Sequence, residues 1–284
     1  MKKRPNILVS NDDGIRSEGI QALATALSSF AKVTVVAPER EQSTMGHALT
    51  LHKPVRLMKI KKSPNIEQWA VSGTPADCVF MGIRHIMKKK PDLIVSGINR
   101  GANLGNDFFY SGTVAAAREA ALLNIPSIAT SLMLEHSPLI PSSDHYDDAA
   151  RYMSHIAKQV LERGLPEGCL LNVNYPNLPL SKVKGARVGR QGFRYYENDA
   201  AQRVDPRGRD YYWLGGKYAG FKNIEGSDCV LVDQGYISLT PCRLDVTDYE
   251  TMEQVSQWAL FPGKTAKSSA KKARAKGPKL RKKK

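Results

Sequence analysis

A chain of 284 residues, 42% of them apolar, can bury one large core plus a smaller appendage and is globular by composition. Its net charge of +15 suggests a nucleic-acid binder until the charge is located: residues 264–284 hold eleven Lys or Arg and no acid, which leaves +4 for the remainder. No apolar run approaches the ~18 residues needed to cross a bilayer, the opening "MKKRPN" precedes too short an apolar stretch for a signal peptide, and Cys78, Cys169, Cys229 and Cys242 form no C-x-x-C pair. A cytoplasmic protein without membrane contact, disulfide framework or zinc knot is therefore expected.

The first element is a short apolar strand at 6–10 that runs directly into "NDDG". Adjacent ionised carboxylates at Asp12 and Asp13 repel one another, so a compact turn holding both needs positive charge beside it. A divalent cation is the simplest candidate, because Mg²⁺ and Mn²⁺ prefer oxygen ligands of this kind. Helix capping near Ser17 is the other use for an aspartate here, and it accounts for one carboxylate better than for two. The helical stretch "EGIQALATALSSF" then aligns Ile20, Leu23, Ala24 and Leu27 on one face.

A strand at 33–37 leads into the polar segment "APEREQSTMGH", and a strand at 68–72 leads into "SGTPADC". Thr74 and Pro75 read as a helix start, with Asp77 complementing the dipole of the helix "PADCVFMGIRHIM" and taking no catalytic part. The strand at 92–96 opens "SGINRGANLGNDFFYSGT". Gly97, Gly101, Gly105 and Gly112 allow close backbone approach to a ligand, Ser111 and Thr113 add hydroxyls at a helix start, and Asn99 and Asn103 add amides, as an anion cradle requires. The same residues also describe a glycine-rich loop with an ordinary Ser cap at Ser111. The segment is neither a Walker A loop nor G-x-G-x-x-G, which argues against a dinucleotide cofactor.

Past the helix "GTVAAAREAALL" and a strand at 127–131, "SLMLEHSPLIPSSDHYD" reads as a loop. A helix at 146–163 ending on Gly164 and the strand "CLLNVNYP" follow. Residues 185–223, rich in Gly, Arg and aromatics, suit hairpins projecting from the sheet, and two strands and a helix at 249–260 complete the body. Tyr110, Tyr195 and Tyr196 are assigned to packing in preference to base stacking. The basic residues 264–284 cannot bury apolar surface and read as a mobile tail, either solubilising or a polyanion contact.

Strands alternating with helices predict an α/β fold with a mostly parallel sheet, whose ligands bind beyond the carboxyl ends of the strands. The polar segments above occupy that edge. Of the six histidines only His47 lies in one of them, and as a single loop His it is read as a solvated surface residue; none is placed in the catalytic set.

Taken in order and spacing, "NDDG", "APEREQS", "SGTPADC", "SGINRGANLG" and "YSGTVAAAREA" resemble the survival-protein-E (SurE) family of metal-dependent nucleoside-monophosphate phosphatases, and "LNVNYP", "DPRG" and "GYISLTP" extend the similarity to about residue 260. The resemblance implies a Rossmann-like three-layer sandwich spanning 1–263, with a hairpin extension near 185–223 used in homo-oligomerisation as a dimer or tetramer. It implies one divalent ion per subunit, Mg²⁺ or Mn²⁺, on Asp12, Asp13, Ser43 and Asn99. It also implies a phosphate site at Asn103, Ser111, Gly112 and Thr113. The activity implied is hydrolysis of nucleoside 5′- and 3′-monophosphates, with exopolyphosphatase activity as an extension. Glu18, where the family often has proline, and Ala120, where it often has glycine, depart from its pattern without touching these positions.

Asp12, Asp13 and Asn103 are then the catalytic candidates. An aspartate tied to a cation is a poor base, so base catalysis falls to neither carboxylate. Two rivals stand beside this expectation. A haloacid-dehalogenase-type phosphatase needs D-x-D, whereas the order here is Asn11-Asp12-Asp13. A polyanion- or RNA-binding protein would act through its basic tail, with the α/β body as scaffold.

Overall fold

The structure, a computed structural model, describes residues 4–134, 144–258 and 260. The strands in chain order are β1 (Asn6–Ser10), β2 (Lys32–Pro38), β3 (Leu57–Lys62), β4 (Ile66–Val71), β5 (Leu93–Arg100), β6 (Ser127–Met133), β7 (Cys169–Pro176), β8 (Ala186–Val188), β9 (Arg194–Val204), β10 (Asp210–Phe221) and β11 (Ile237–Arg243). Nine of them form one sheet in the order β3-β4-β2-β1-β5-β6-β7-β11-β8, and β9 and β10 form a separate antiparallel hairpin. From β4 through β7 the pairing is parallel throughout. Two antiparallel strands close its flanks, β3 on β4 and β11 on β7, and β8 runs parallel to β11.

Central parallel strands covered on both faces become continuous apolar runs, and β1 shows why. Ile7, Leu8 and Val9 are all fully buried. Side chains alternate across a strand, so Ile7 and Val9 enter one apolar cluster with helices α1 (Glu18–Ser28) and α4 (Tyr146–Arg163), while Leu8 enters another with α2 (Pro75–Met81) and α3 (Gly112–Leu122). The result is the three-layer α/β sandwich that the alternating pattern predicts. On α1 the predicted stripe Ile20, Leu23, Ala24 and Leu27 is buried to the last residue. The alanines of α3 serve a different purpose: Ala115, Ala116, Ala117, Ala120 and Ala121 are buried, and their short side chains let the helix lie close to the sheet.

Several elements differ from the sequence expectation. β3 is a strand that apolar periodicity did not announce, because its "LMKIKK" lies almost wholly exposed at the sheet edge, where lysines discourage further pairing. The helix that begins at Pro75 loses α geometry at Gly82 and widens into a π turn over Gly82–Ile86. Gly82 lies against β1 there; a Cβ on it would sit 2.4 Å from Cδ1 of Leu8. Residues 185–223 hold a single hairpin, β9 with β10, while β8 joins the main sheet. Residues up to Leu244 form one compact unit and those from Asp245 a second. In the second, a helix over Tyr249–Ser256 is capped by Asp248, whose Oδ1 accepts the amides of Glu250 and Thr251, and it ends short of the expected 260. Most of the loop expected after β6, residues 135–143, and the tail 264–284 lie outside the described residues.

Because Leu23 is fully buried in the cluster between α1 and the sheet, Leu23→Ala should lower unfolding free energy by about 2–5 kcal/mol in urea titrations. A loss below about 0.5 kcal/mol, the scale of a surface substitution, would contradict this packing.

Candidate active site

β1 and β5 are neighbours in register, with Ser10 opposite Ser96, so the segments leaving their carboxyl ends emerge side by side. They border a cleft of about 990 Å³ whose walls include Asp12, Asp13, Ser43, Asn99, Asn103 and Ser111. Six of the eight residues singled out in the sequence thus share one cavity. Gly112 and Thr113 do not line it.

Thr113 is fully buried, and its Oγ1 donates to Oδ1 of Asp12 and, at 3.3 Å, to Oδ1 of Asn99. Its hydroxyl therefore orients two of the candidate ligands. Gly112 stands behind Asp12 as well: a Cβ there would come within 2.8 Å of the Asp12 Cβ, so this position needs glycine for the helix start to approach the carboxylate. Ser111 is the N-cap of α3 and accepts the amide of Val114 at 3.0 Å.

Neither aspartate caps α1. Its N-cap is Ser17, which makes no side-chain cap bond and instead receives Nδ2 of Asn11 at 2.8 Å. Asp12 is 5% exposed, and burial pushes its carboxyl up, against opposing hydrogen bonds from the Thr113 hydroxyl and from backbone amides including those of Thr113 and Gly112. Asp13, half-buried, accepts the amide of Arg100 at 2.9 Å. Burial, and next the charge of Asp12, raise Asp13 to about 6. Two neighbouring acids that both resist ionisation form a site short of positive charge.

The neutral oxygens come from the adjoining segments. Nδ2 of Asn99 is held by the carbonyl of Gly101 at 2.8 Å, which leaves its Oδ1 towards Thr113 and Asp12. Ser43 lies exposed in the segment after β2, and its hydroxyl donates to Oε1 of Glu41. Asn103, 6% exposed, is fixed from every side: its amide donates to Oδ1 of Asn174 at 2.8 Å, its Nδ2 to Ser131 at 2.8 Å, and its carbonyl accepts from Asn172 and Asn174. The set of Asp12, Asp13, Ser43 and Asn99 is all oxygen, which suits a hard divalent cation. Among the described residues, no three His, Cys, Asp or Glu side chains cluster as a metal site, so any ion held here depends on the serine and asparagine oxygens as well.

Asp77 behaves as the sequence suggested. Its carboxylate closes a capping box with Thr74 and takes the amide of Thr50 at 3.0 Å. His47 does not: Nε2 lies 2.9 Å from Oε2 of Glu119 in a half-buried pair.

Other walls of the cleft were not foreseen. Asp107, in the turn Gly105–Phe109, accepts Nη1 of Arg194 and the hydroxyl of Tyr196, each at 2.6 Å. Arg194 is 5% exposed and also lies 4.3 Å from the ring of Tyr218. This buried cluster ties the β9–β10 hairpin to the glycine-rich segment and brings Tyr196, Leu214, Gly215 and Gly216 to the rim. The partners are 87 and 89 residues apart, so no local pattern could have paired them.

Comparison with known proteins places this geometry. The profile described as "Survival protein SurE" matches residues 7–198. The "5'-nucleotidase SurE" of Pelobacter propionicus is 48% identical over 253 residues, covering 89% of this chain and 99% of its own. That of Geobacter sulfurreducens is 48% identical over 255 residues, covering 90% of this chain and 94% of its own. The crystal structure of the SurE protein from Aquifex aeolicus superimposes with a TM-score of 0.75 at 42% identity, over 89% of this chain and 98% of that one. Its two carboxylates at the end of β1, the serine and asparagine beside them and the helix start beneath them thus lie within a fold and a sequence shared nearly end to end with these proteins, and the chain belongs to the SurE family.

Proposed function

We propose that this chain is a divalent-metal-dependent 5′-nucleotidase that hydrolyses nucleoside 5′-monophosphates to nucleoside and phosphate, with 3′-monophosphates as further substrates. The observation that carries the reading is the adjacent pair Asp12, buried, and Asp13, half-buried, sharing one cleft with Ser43, Asn99, Asn103 and Ser111. Asp12, Asp13, Ser43 and Asn99 would hold one ion, Mg²⁺ or Mn²⁺. When bound, such an ion neutralises phosphoryl charge and lowers the pKa of water.

The chain's own part is positioning and exclusion. Asn103, locked by Ser131, Asn172 and Asn174, presents a fixed amide to the transferring oxygens, and Ser111 stands beside it at the α3 start. Thr113 and Gly112 act through Asp12, which they hold in place. The reaction breaks the bond between phosphorus and the ester oxygen, water adds to phosphorus, and the nucleoside leaves as an alcohol carrying the proton. Aspartates bound to a cation are weak bases, so neither Asp12 nor Asp13 is assigned the role of deprotonating the attacking water.

We place the enzyme in the cytoplasm; among the described residues no helix is long and apolar enough to cross a membrane. Its oligomer contact is assigned to the β9–β10 hairpin, where Tyr211, Tyr212 and Trp213 are exposed. The reading as a polyanion-binding protein led by its tail is not favoured, since close relatives across nine-tenths of the chain carry the name of a nucleotidase.

Three outcomes test this account. Asp12→Asn should reduce hydrolysis of nucleoside 5′-monophosphates in Mn²⁺ by more than the 10–100-fold typical of changes behind a metal ligand, and chelation should abolish it in the parent. Turnover that survives both would remove the metal assignment. Ser111→Ala should weaken inhibition by free phosphate; unchanged inhibition would take Ser111 out of the phosphate site. The third concerns stability. Asp13 holds its proton up to about 6 in the folded chain and releases it near its ordinary value of 3.8 in the unfolded one. The folded state thus binds the extra proton between those values, and this group's contribution falls as pH rises through about 6. Chelated protein should show that fall in thermal melts from pH 4.5 to 7, and Asp13→Asn should make it shallower; an equal fall in the variant would exclude Asp13 as its source.

A further inference from the structure

One polar pair withdrawn from solvent has no part in the chemistry above. Glu119 is 8% exposed on α3, and its Oε2 meets Nε2 of His47 at 2.9 Å. The helix that carries Glu119 also carries Thr113, whose hydroxyl fixes Asp12. His47 belongs to the segment that carries Ser43. That segment has little packing of its own: Ser43, Thr44 and Met45 are exposed, and Thr44 adopts a φ of 57°. What holds it are tethers at both ends. The amide of Gln42 donates to the carbonyl of Asp12 at 2.8 Å on one side, and the amide of Gly46 donates to the carbonyl of Tyr110 at 3.1 Å on the other, next to the His47 contact.

We propose that His47 and Glu119 are a positioning pair that holds Ser43 at the metal site by pinning its segment to the same helix that orients Asp12. The inference rests on the metal-site reading given above. Its logic is geometric: two ligands from distant segments keep a constant separation when both are referenced to one rigid body, and α3 is that body. The two backbone tethers fix the ends of the segment, and the His47 contact adds the side-chain link between it and α3. If the pair served only to satisfy the buried Glu119 carboxylate, its loss would lower stability and leave Ser43 unaffected.

The test is a double-mutant cycle on the full chain, read by calorimetric titration with Mn²⁺ as well as by kinetics. His47→Ala should raise the Kd for Mn²⁺ by about tenfold, within the range for residues behind a ligand, while the KM for nucleotide at saturating Mn²⁺ stays within twofold. His47→Gln, which keeps a donor near Glu119, should recover most of the affinity. In a Ser43→Ala background, His47→Ala should change the Kd by less than twofold, because its effect passes through the serine already removed. His47 lies in a loop segment and Glu119 in a helix, so Glu119→Leu, which keeps bulk on α3 but removes the acceptor that His47 meets, gives a second arm with the same expected pattern should the alanine variant fold poorly. Parental affinity in His47→Ala, or independent and additive losses in the cycle, would overturn the proposal. A parent that binds Mn²⁺ but hydrolyses no nucleotide would sink the nucleotidase reading and leave the pair standing; a parent that binds no Mn²⁺ would sink both.

Discussion

Two carboxylates on consecutive residues, one buried and one half-buried at the end of a central strand, are an unfavourable arrangement unless positive charge is supplied beside them. In water the repulsion of Asp12 and Asp13 would be slight; in the cleft, burial raises both and Asp12 raises Asp13 further. A sequence that retains such a pair holds an unmet demand for positive charge at a defined place. The surrounding structure supplies amides and hydroxyls to these carboxylates in place of a cationic side chain, which tempers the demand without meeting it. On the reading proposed above, a bound ion would supply that charge, and the protein without it would carry the cost as protonation of these carboxylates.

Much of the architecture follows from where that pair must stand. Parallel pairing of β1 with β5 brings the glycine-rich segment beside "NDDG", and the start of α3 closes beneath both. Gly112 allows the approach, Thr113 orients Asp12 and Asn99, and the alanine face of the helix seats it against the sheet. A side chain at Gly19 would likewise collide with β5, 2.0 Å from the carbonyl of Ile98.

The parts visible in the sequence were those with local signatures. β1, the stripe on α1 and the Thr74 cap with Asp77 in the first turn depend on residues within a few positions of one another, and each is found as read. The adjacency of Asp12 and Asp13 is local too, so the residue order by itself argues for a cation. What stayed hidden was long-range or edge-bound. β3 has no buried face to create an alternating pattern, and the Arg194, Asp107 and Tyr196 cluster joins segments nearly ninety residues apart. His47 and Thr113 illustrate the finer limit: residue type told what each could do, but only the fold determines which partner occupies its polar atoms. A hydroxyl at a helix start could serve an anion or a neighbouring side chain, and the fold gives that of Thr113 the Asp12 carboxylate.

Since a cation must displace protons that burial has kept on the carboxylates, proton release on binding is the sharpest measure of the whole picture. Calorimetric titration of Mn²⁺ into the full chain at pH 5.5, repeated in buffers of different ionisation enthalpy, reports the number of protons expelled. The account predicts net release at that pH, diminishing as pH rises through about 6 and Asp13 ionises beforehand. Binding with no proton release at pH 5.5, or with release unchanged in Asp13→Asn, would contradict it.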